Sequence, residues 1–268
     1  GHEMAGWLDD GTLVGVHTDI GCGDCGHCRS GFDNRCVGRV AIGLDRDGGM
    51  AGAVAVPDDH ILPVDGLEPE VVALLEPLGC CLHASSLLQV EDGWPGLVVG
   101  AGPMGLLARW ALQAEGATVA VCETSEERRL AAADLGADAT LDSDGDPADL
   151  LGEAPLVAIV TAPGPQPLTW ALERMEAGGR VHVFAGTPGG NMLDANVIHY
   201  RHLALIGSTG SAMRDYRRAH ELVRAGAVPL DRLPRTVVSL EEAAASLRAP
   251  DAVPDTRLVI DMGRSSSS

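Results

Sequence analysis

Lysine is absent from the 268-residue sequence, and its 19 basic side chains are all arginines. The chain has 38 acidic residues against them, which gives a formal net charge of -19. A field of this sign repels nucleic-acid phosphates and anionic lipid surfaces. We therefore expect neither nucleic acid nor a membrane among the partners of this chain.

Long apolar runs and targeting signals are also missing. No stretch of about 18 residues is apolar without interruption, as a membrane-spanning helix requires. No basic segment leads into an apolar stretch, as it would in a secretion signal. We expect a cytoplasmic protein with reduced thiols and a disordered tail at residues 264–268. The length allows one large or two ordinary domains.

Four of the seven cysteines fall in the stretch GCGDCGHCRSGFDNRC, at Cys22, Cys25, Cys28 and Cys36. Two-residue gaps let a Gly-rich turn aim successive thiolates at one point, and the longer return brings in the fourth. Four sulfurs with no open position are typical of a structural zinc site. Disulfides would need an oxidising compartment, for which no signal exists. His27 lies in the loop, but the cysteines already complete the ligand set.

The run LVVGAGPMGLL predicts a turn that binds a dinucleotide. An apolar strand at 97–99 leads into the glycines, and the helical stretch LARWALQAEG follows them. The first glycine permits a tight turn, the second lets a pyrophosphate approach the backbone, and the third lets the helix pack on its strand. A proline suits the first helical turn, whose free N–H groups face the phosphates. The motif residues are Gly100, Gly102, Pro103, Met104 and Gly105.

A second strand, TVAVCE, ends at Glu123. A carboxylate at this position accepts hydrogen bonds from the adenosine ribose and repels a 2′-phosphate, so NAD is favoured over NADP. Glu123 could instead be an N-capping or solvated acid ahead of the helix SEERRLAAADLG. Arg128 or Arg129 could lie over the adenine or on the helix surface, and they keep NADP open as an alternative.

Strand-like and helical segments go on alternating after this point. This order predicts an α/β fold with a doubly wound parallel sheet, a Rossmann fold, whose cofactor lies across the carboxyl ends of the strands. The further predicted strands are 139–142, 156–162, 180–186 and 203–209.

Together these motifs resemble the medium-chain zinc-dependent alcohol dehydrogenases, most closely their polyol, sorbitol and threonine dehydrogenase branch. The resemblance rests on GHE-x-x-G, the four-cysteine lobe, EPLGCCLHA, the dinucleotide motif, NVIHYRHLALIGSTGS and TRLVIDMG, and it runs from Gly1 to about Met262. It implies a partial GroES-like β-rich catalytic domain at 1–66, an NAD-binding Rossmann domain at 67–227, and a return to the catalytic domain at 228–268. It also implies a homodimer or homotetramer.

The resemblance further assigns roles at the catalytic centre. His2 and Glu76 are the expected ligands of a catalytic zinc. Glu3 is expected either to contact these ligands from the next layer of residues or to exchange with one of them on the metal. Glu76 could instead simply belong to a helix start, with Pro77 at the first helical position. Cys80 lies one helical turn from Glu76, so it could face the same metal or belong to the core with Cys81.

The nicotinamide end of the cofactor is expected at residues that follow the later strands. These are Ala162, Phe184, Ala185, Gly186, Ser208 and Thr209. His182, His199 and His202 are interpreted as structural histidines, with polar contacts to ligands as the alternative.

The sequence also departs from the family pattern. The pattern has a stretch before GHE that holds a first zinc cysteine and a hydroxyl for proton relay. We expect the natural chain to begin earlier, and a genuinely reduced protein is the alternative. The implied reaction is reversible oxidation of a secondary alcohol, a polyol, cyclitol or amino alcohol, to a ketone, with zinc and a nicotinamide as cofactors. Two alternatives are a zinc-independent reductase of a quinone or activated double bond, and an NAD-binding subunit without catalysis.

Overall fold

The computed structural model describes residues 1–187, 190, 193–248 and 256–263. It divides into two compact units. Unit 1 combines Gly1–Cys80 with Gly210–Ser268, and unit 2 is Cys81–Thr209. The predicted tail at 264–268 lies outside the described residues.

The chain folds into short strands and helices in the following order. The strands are β1 (Ala5–Trp7), β2 (Leu13–Val16), β3 (Asp19–Ile20), β4 (Val40–Ala41), β5 (Ile61–Pro63), β6 (Pro95–Val99), β7 (Thr118–Cys122), β8 (Ala139–Leu141), β9 (Val157–Val160), β10 (Arg180–Val183), β11 (Ala204–Gly207), β12 (Arg235–Ser239) and β13 (Arg257–Asp261). The α-helices are α1 (Gly26–Arg29), α2 (Pro69–Val72), α3 (Leu75–Leu88), α4 (Pro103–Ala114), α5 (Glu126–Asp134), α6 (Pro147–Leu151), α7 (Pro165–Arg174), α8 (Ala195–Tyr200), α9 (Met213–Arg224) and α10 (Leu240–Arg248). Short 3-10 helices lie at Asp33–Arg35, Asp58–His60 and Leu230–Arg232.

The unit boundaries differ from those expected at 66/67 and 227/228. They lie at 80/81, inside α3, and at 209/210. The α9 helix therefore belongs to unit 1, because its buried Tyr216 packs on the backbone at Gly15 and beside the ring of His17.

Unit 2 is built on a six-stranded parallel sheet of order β11-β10-β9-β6-β7-β8. The chain moves outward from β6 to β8, then returns to the other side of β6 and moves outward again. Every residue of β6 and β9 is buried, as expected for parallel strands covered on both faces. The predicted doubly wound α/β Rossmann fold is confirmed, and its order reverses between β6 and β9, where such sheets bind ligands.

The core of unit 2 is apolar and extends across the sheet. Leu97, Val99, Ala158 and Val160 belong to one cluster with three residues on one face of α7. Those residues are Leu168, Ala171 and Leu172. Burial of such side chains stabilises a fold by roughly 1.5–3 kcal/mol each, so this cluster accounts for much of the stability of the unit.

Unit 1 contains smaller sheets. An antiparallel sheet has the order β1-β2-β5, β3 pairs with β4 antiparallel, and β12 pairs with β13 in parallel. Met4, Val16 and Ile42 form a compact buried cluster. Several polar side chains are buried in the same unit, so its conformation depends on specific hydrogen bonds as well as apolar packing.

The stretch Pro69–Leu88 is long and apolar enough to cross a membrane, with a mean hydropathy of 1.6. It covers α2 and α3, and Glu70 and Glu76 interrupt its apolar character. Because 78% of its most apolar 18-residue window is buried inside the protein, we assign this stretch to the protein core.

Candidate active site and metal centre

The four predicted zinc cysteines gather at one point in unit 1. Their sulfur atoms all lie within 4.8 Å of one another. The Sγ atoms of Cys25 and Cys28 are 3.5 Å apart, and those of Cys22 and Cys28 are 4.0 Å apart. Zinc–sulfur bonds of about 2.3 Å in a tetrahedron place sulfurs roughly 3.8 Å apart. The spacing therefore fits one zinc ion and is too long for disulfide bonds.

Backbone amides lower the pKa of Cys22 and Cys25 and so favour their thiolates, whereas burial raises the pKa of Cys28. The N–H groups of Cys22, Cys25 and Cys28 donate to the sulfurs of Cys36, Cys22 and Cys25 at 3.4, 3.4 and 3.5 Å. Hydrogen bonds from the backbone of Asp24 and Cys25 lower the pKa of Cys22 to about 6. Among the described residues, this is the one group of three or more candidate metal ligands, and His27 is not part of it.

His2 and Glu76, the predicted catalytic ligands, also meet in unit 1. His2 Nε2 lies 3.3 Å from Glu76 Oε1, and Glu76 is buried in the first turn of α3. The other ring nitrogen, Nδ1, donates to the carbonyl of Ile42 at 3.0 Å, which fixes the ring and directs Nε2 toward the carboxylate. The hydrogen bond with Glu76 raises the pKa of His2. A backbone partner on one imidazole nitrogen is typical of a ring that binds metal through the other.

This pair fits part of a zinc site. Nitrogen and oxygen atoms 3.3 Å apart can share an ion at ligand distances of about 2.0–2.2 Å. The thiol of Cys80 lies 3.2 Å from Glu76 Oε1, but the described residues contain no three-ligand group that joins it to His2. Glu76 and Pro77 are the second and third residues of α3, so Glu76 does lie at a helix start, and this position is compatible with either role.

Glu3 points to a different partner, which the sequence pattern did not identify. Its carboxylate forms a two-point ion pair with Arg257 of β13, in which Nε donates to Oε2 at 3.1 Å and a second nitrogen meets Oε1. Glu3 therefore ties the GHE segment to the last strand of unit 1. The pairing had no sequence signal because 254 residues separate the two positions.

A second ion pair, whose carboxylate is buried, also escaped sequence analysis. Arg39 lies 3.1 Å from Oδ1 of Asp19, whose burial raises its pKa. Gly210 closes over this pair, since a Cβ atom at Gly210 would overlap the Asp19 carboxylate. The position therefore accepts no larger residue without displacing the ion pair.

The dinucleotide motif of unit 2 has a geometry that suits a pyrophosphate. Gly100 has a φ of +104°, which glycine adopts readily. A Cβ atom on Gly105 would overlap the carbonyl oxygen of Gly100, whereas one on Gly102 would meet nothing within 4 Å. Pro103 is the first residue of α4. The backbone at Gly102 thus faces open space at a helix N-terminus, as phosphate binding requires.

Glu123 follows β7, and its carboxylate links the loops that follow β6 and β7. Its Oε2 accepts from the Ala101 N–H at 2.9 Å, and its Oε1 accepts from the Ser125 N–H at 3.0 Å. Burial works to raise the pKa of Glu123, but these two hydrogen bonds and the charge of Arg128 hold it below its usual value. The residue that caps α5 is Ser125, not Glu123.

The two arginines near Glu123 differ in their partners and in their exposure. Arg129 donates to the Glu123 carbonyl at 2.6 Å and pairs with Asp142 at 2.9 Å. Arg128 NH1 is 3.8 Å from Glu123 Oε2 and is more exposed. Arg128 is therefore the better placed of the two to meet a ribose phosphate.

The predicted nicotinamide residues lie where the later strands end. The N–H group of Ala162 donates to Val99 at 2.9 Å, and those of Phe184 and Ala185 donate to Val160 at 3.1 Å. Gly186 follows β10, and Thr209 follows Ser208 after β11. Because parallel strands end at one edge of a sheet, these residues share the edge of the glycine motif.

His182, interpreted as structural, supports one of these residues. It is fully buried in β10, and its Nε2 lies 2.9 Å from the Ser208 hydroxyl oxygen. Burial lowers its pKa to about 4, so the ring is neutral near pH 7. His199, in contrast, packs edge-on to the exposed Tyr200 at 4.9 Å between ring centroids.

Comparison with known proteins identifies the family. The model of the family described as zinc-binding dehydrogenase matches residues 103–225. L-galactonate-5-dehydrogenase of Escherichia coli (strain K12) is 31% identical over 248 residues, covering 86% of this chain and 73% of that protein. L-threonine 3-dehydrogenase of Bacillus subtilis (strain 168) is 28% identical, covering 86% and 72%.

Solved structures agree with these relatives. A zinc-binding dehydrogenase from Sinorhizobium meliloti 1021 bound to NADP has a TM-score of 0.86 and 31% identity, covering 97% of this chain and 82% of that one. The chain therefore belongs to the zinc-binding, medium-chain dehydrogenases, in the polyol and threonine dehydrogenase branch, and is an oxidoreductase that acts on small alcohols with a nicotinamide cofactor.

Proposed function

We propose that this protein is a zinc-dependent, NAD-linked dehydrogenase that interconverts a secondary alcohol and a ketone. The observation that carries this proposal is the His2–Glu76 pair, with Nε2 of His2 directed at a buried carboxylate 3.3 Å away. The named relatives act on L-galactonate and L-threonine, which supports a polyol, cyclitol or amino alcohol as substrate.

The residues of unit 1 divide into two metal sites in this proposal. Cys22, Cys25, Cys28 and Cys36 hold a structural zinc, because four thiolates leave no open position. His2 and Glu76 hold a catalytic zinc, which would act as a Lewis acid that lowers the pKa of the alcohol. The Ile42 carbonyl keeps the His2 ring in place, and the Glu3–Arg257 ion pair anchors the segment that carries it.

The residues of unit 2 hold the cofactor that accepts the hydride. The N-terminus of α4 and Gly102 receive the pyrophosphate. The ionised Glu123 accepts from the adenosine ribose and disfavours a 2′-phosphate, so NAD is the proposed cofactor. His182 Nε2 lies 2.9 Å from the Ser208 hydroxyl oxygen and positions this hydroxyl for a hydrogen bond with the nicotinamide carboxamide.

NADP is a second candidate, which two observations favour. The Sinorhizobium meliloti relative was solved with NADP, and Arg128 lies beside Glu123. The ratio of NADH to NADPH dissociation constants, measured by fluorescence, distinguishes the two. We expect this ratio to be below 1 in the wild type, because NADH binds more tightly, and to be larger in Glu123→Gln. A wild type that binds NADPH more tightly would contradict the NAD assignment.

Three further features belong to the same proposal. A cytoplasmic location suits the free thiols. The β-rich part of unit 1 corresponds to a partial GroES-like catalytic domain, and the assembly is a homodimer or homotetramer by resemblance to the family.

Zinc content and turnover test the catalytic site. We expect close to two zinc ions per chain by elemental analysis, one of them removed by mild chelation. His2→Asn and Glu76→Gln should lose this labile ion and reduce turnover of a panel of polyols and amino alcohols by about 100-fold or more, with NADH affinity unchanged. His27→Asn, a control within the cysteine loop, should keep both ions. One tightly held zinc, or turnover that persists after the labile ion is removed, would overturn the proposal.

A further inference from the structure

Unit 1 contains a cavity that the proposed reaction does not use. Its volume is about 330 Å³, at the lower end of the range for small-molecule sites. Two 3-10 helices contribute Asp33, Asp59 and His60 to its lining, and the start of α9 contributes Arg214 and Arg217. Neither His2 nor Glu76 lines it, although Cys28 of the cysteine cluster does.

His60 presents a hydrogen-bond acceptor to this cavity. The ring is 8% exposed, and its Nδ1 lies 3.1 Å from the carbonyl oxygen of His17 and 3.3 Å from Nδ1 of His17. A carbonyl only accepts, so the hydrogen of His60 resides on Nδ1. His17 Nε2 in turn donates to the Ser211 carbonyl at 2.9 Å, which leaves His17 Nδ1 to accept. With the hydrogen on Nδ1, Nε2 of the His60 ring carries a lone pair, and no hydrogen bond to this atom is found among the described residues.

The residues beside His60 add negative charge to the same side. Asp59 precedes His60 in its 3-10 helix and is exposed, and Asp33 lines the cavity from the other 3-10 helix. The Asp33 carboxylate lies 3.9 Å from the His17 ring. This side of the cavity thus offers two carboxylates and an imidazole nitrogen, all of which accept hydrogen bonds.

The α9 side of the cavity carries the opposite charge. Arg214 and Arg217 are three residues apart and so lie on one face of the helix. The guanidinium of Arg214 is held 4.0 Å above the ring of Phe32. Arg217 has no ion-pair partner within the part of the chain that the structure describes. Guanidinium groups bind carboxylates through paired hydrogen bonds.

We propose that this cavity binds a zwitterionic aminocarboxylate. The ammonium group meets Asp33, Asp59 and the His60 Nε2, and the carboxylate meets Arg214 and Arg217. A simple anion matches only the arginine side of the cavity, and a simple cation matches only the aspartate side. A ligand with both charges matches both sides, and its distance between charges is set by the cavity.

A series of ω-amino acids of increasing chain length tests this site. We would titrate glycine, β-alanine, 4-aminobutanoate, 5-aminopentanoate and 6-aminohexanoate into the zinc-loaded chain by calorimetry. We expect saturable binding with one preferred length, and at least about tenfold weaker binding of the methyl ester and the N-acetyl derivative of that compound. No saturable binding by any member, or equal binding of acetate or phosphate, would overturn the proposal.

Matched variants locate the binding. Arg217→Gln and Asp59→Asn should each weaken the preferred ligand about tenfold or more. Arg224→Gln on the same helix and Asp58→Asn on the same 3-10 helix do not line the cavity and should bind as the wild type does. All four side chains are exposed, so folding and zinc content should be unchanged. Equal weakening in the controls, or unchanged binding in both cavity variants, would contradict the assigned site.

Discussion

The two units are stabilised in different ways. Unit 2 has a sheet whose central strands are wholly buried and one large apolar cluster, and it buries fewer polar side chains than unit 1 does, His182 among them. Unit 1 has strands of two to five residues and buries His17, Asp19, His60 and Glu76. Apolar packing tolerates many substitutions, whereas a buried polar group is costly when its partner is removed. Removal of a single side-chain group should therefore lower the unfolding free energy of unit 1 more than that of unit 2.

Removal of the cysteine cluster should have the largest effect. In Cys25→Ser we expect loss of the tightly bound zinc and destabilisation of unit 1 by several kcal/mol, because a structural zinc contributes its binding free energy to folding. NADH binding by unit 2 should persist. Elemental analysis, circular dichroism and NADH fluorescence measure these results. Cys122→Ser, in the core of unit 2, is the control and should keep its zinc. If Cys25→Ser destabilises unit 2 as much as unit 1, the stability of the two units does not depend on different interactions.

The glycine motif allows a sharper test within unit 2. In Gly105→Ala the new Cβ atom would overlap the Gly100 carbonyl, so we expect a loss of about 3 kcal/mol in unfolding free energy. In Gly102→Ala the Cβ atom projects into open space, and stability should change by no more than about 1 kcal/mol. NADH affinity should nevertheless fall in Gly102→Ala. Urea unfolding and NADH titration separate the two effects, and unchanged NADH affinity in Gly102→Ala would contradict the pyrophosphate position.

His182 makes unit 2 sensitive to acid. Its folded-state pKa of about 4 lies below the unfolded value of about 6.5, so the unfolded chain binds the proton more readily. The stabilisation is complete above pH 6.5 and is lost as pH falls toward 4, about 2 kcal/mol of it between pH 7 and pH 5. Urea unfolding of the wild type and His182→Phe at both pH values should show a smaller decrease in the variant. Equal decreases would contradict burial of a neutral ring.

The Glu3–Arg257 ion pair should give the smallest effect. Both side chains are about one quarter exposed, so solvent screens the interaction. Glu3→Gln should lower the unfolding free energy of unit 1 by about 1 kcal/mol, with zinc content unchanged. Glu241→Gln, which removes an exposed acid from the same unit, is the control. A loss of several kcal/mol in Glu3→Gln would show that the carboxylate does more than anchor β13.

Periodicity predicted unit 2 well and unit 1 poorly. Strand and helix signals located the parallel sheet, and the proline signal placed the start of α4 at Pro103. In unit 1 the pairs His17–His60, Asp19–Arg39 and Glu3–Arg257 had no comparable signal. Polar partners distant in sequence have no fixed spacing, so they become visible only in the folded chain. The boundary at 80/81 also falls inside a continuous helix, where no change in composition marks it.

The interrupted path of unit 1 has a consequence for synthesis. The His17–Ser211 hydrogen bond joins residues 194 positions apart, and Arg257 follows Glu3 by 254. Unit 2 is continuous and can fold as soon as its last strand leaves the ribosome. The first 80 residues must wait for residues 210 onward before His17 and Glu3 meet all their partners. Residues 1–80 are therefore translated before unit 2 but complete their contacts after it, and such long-range contacts form slowly.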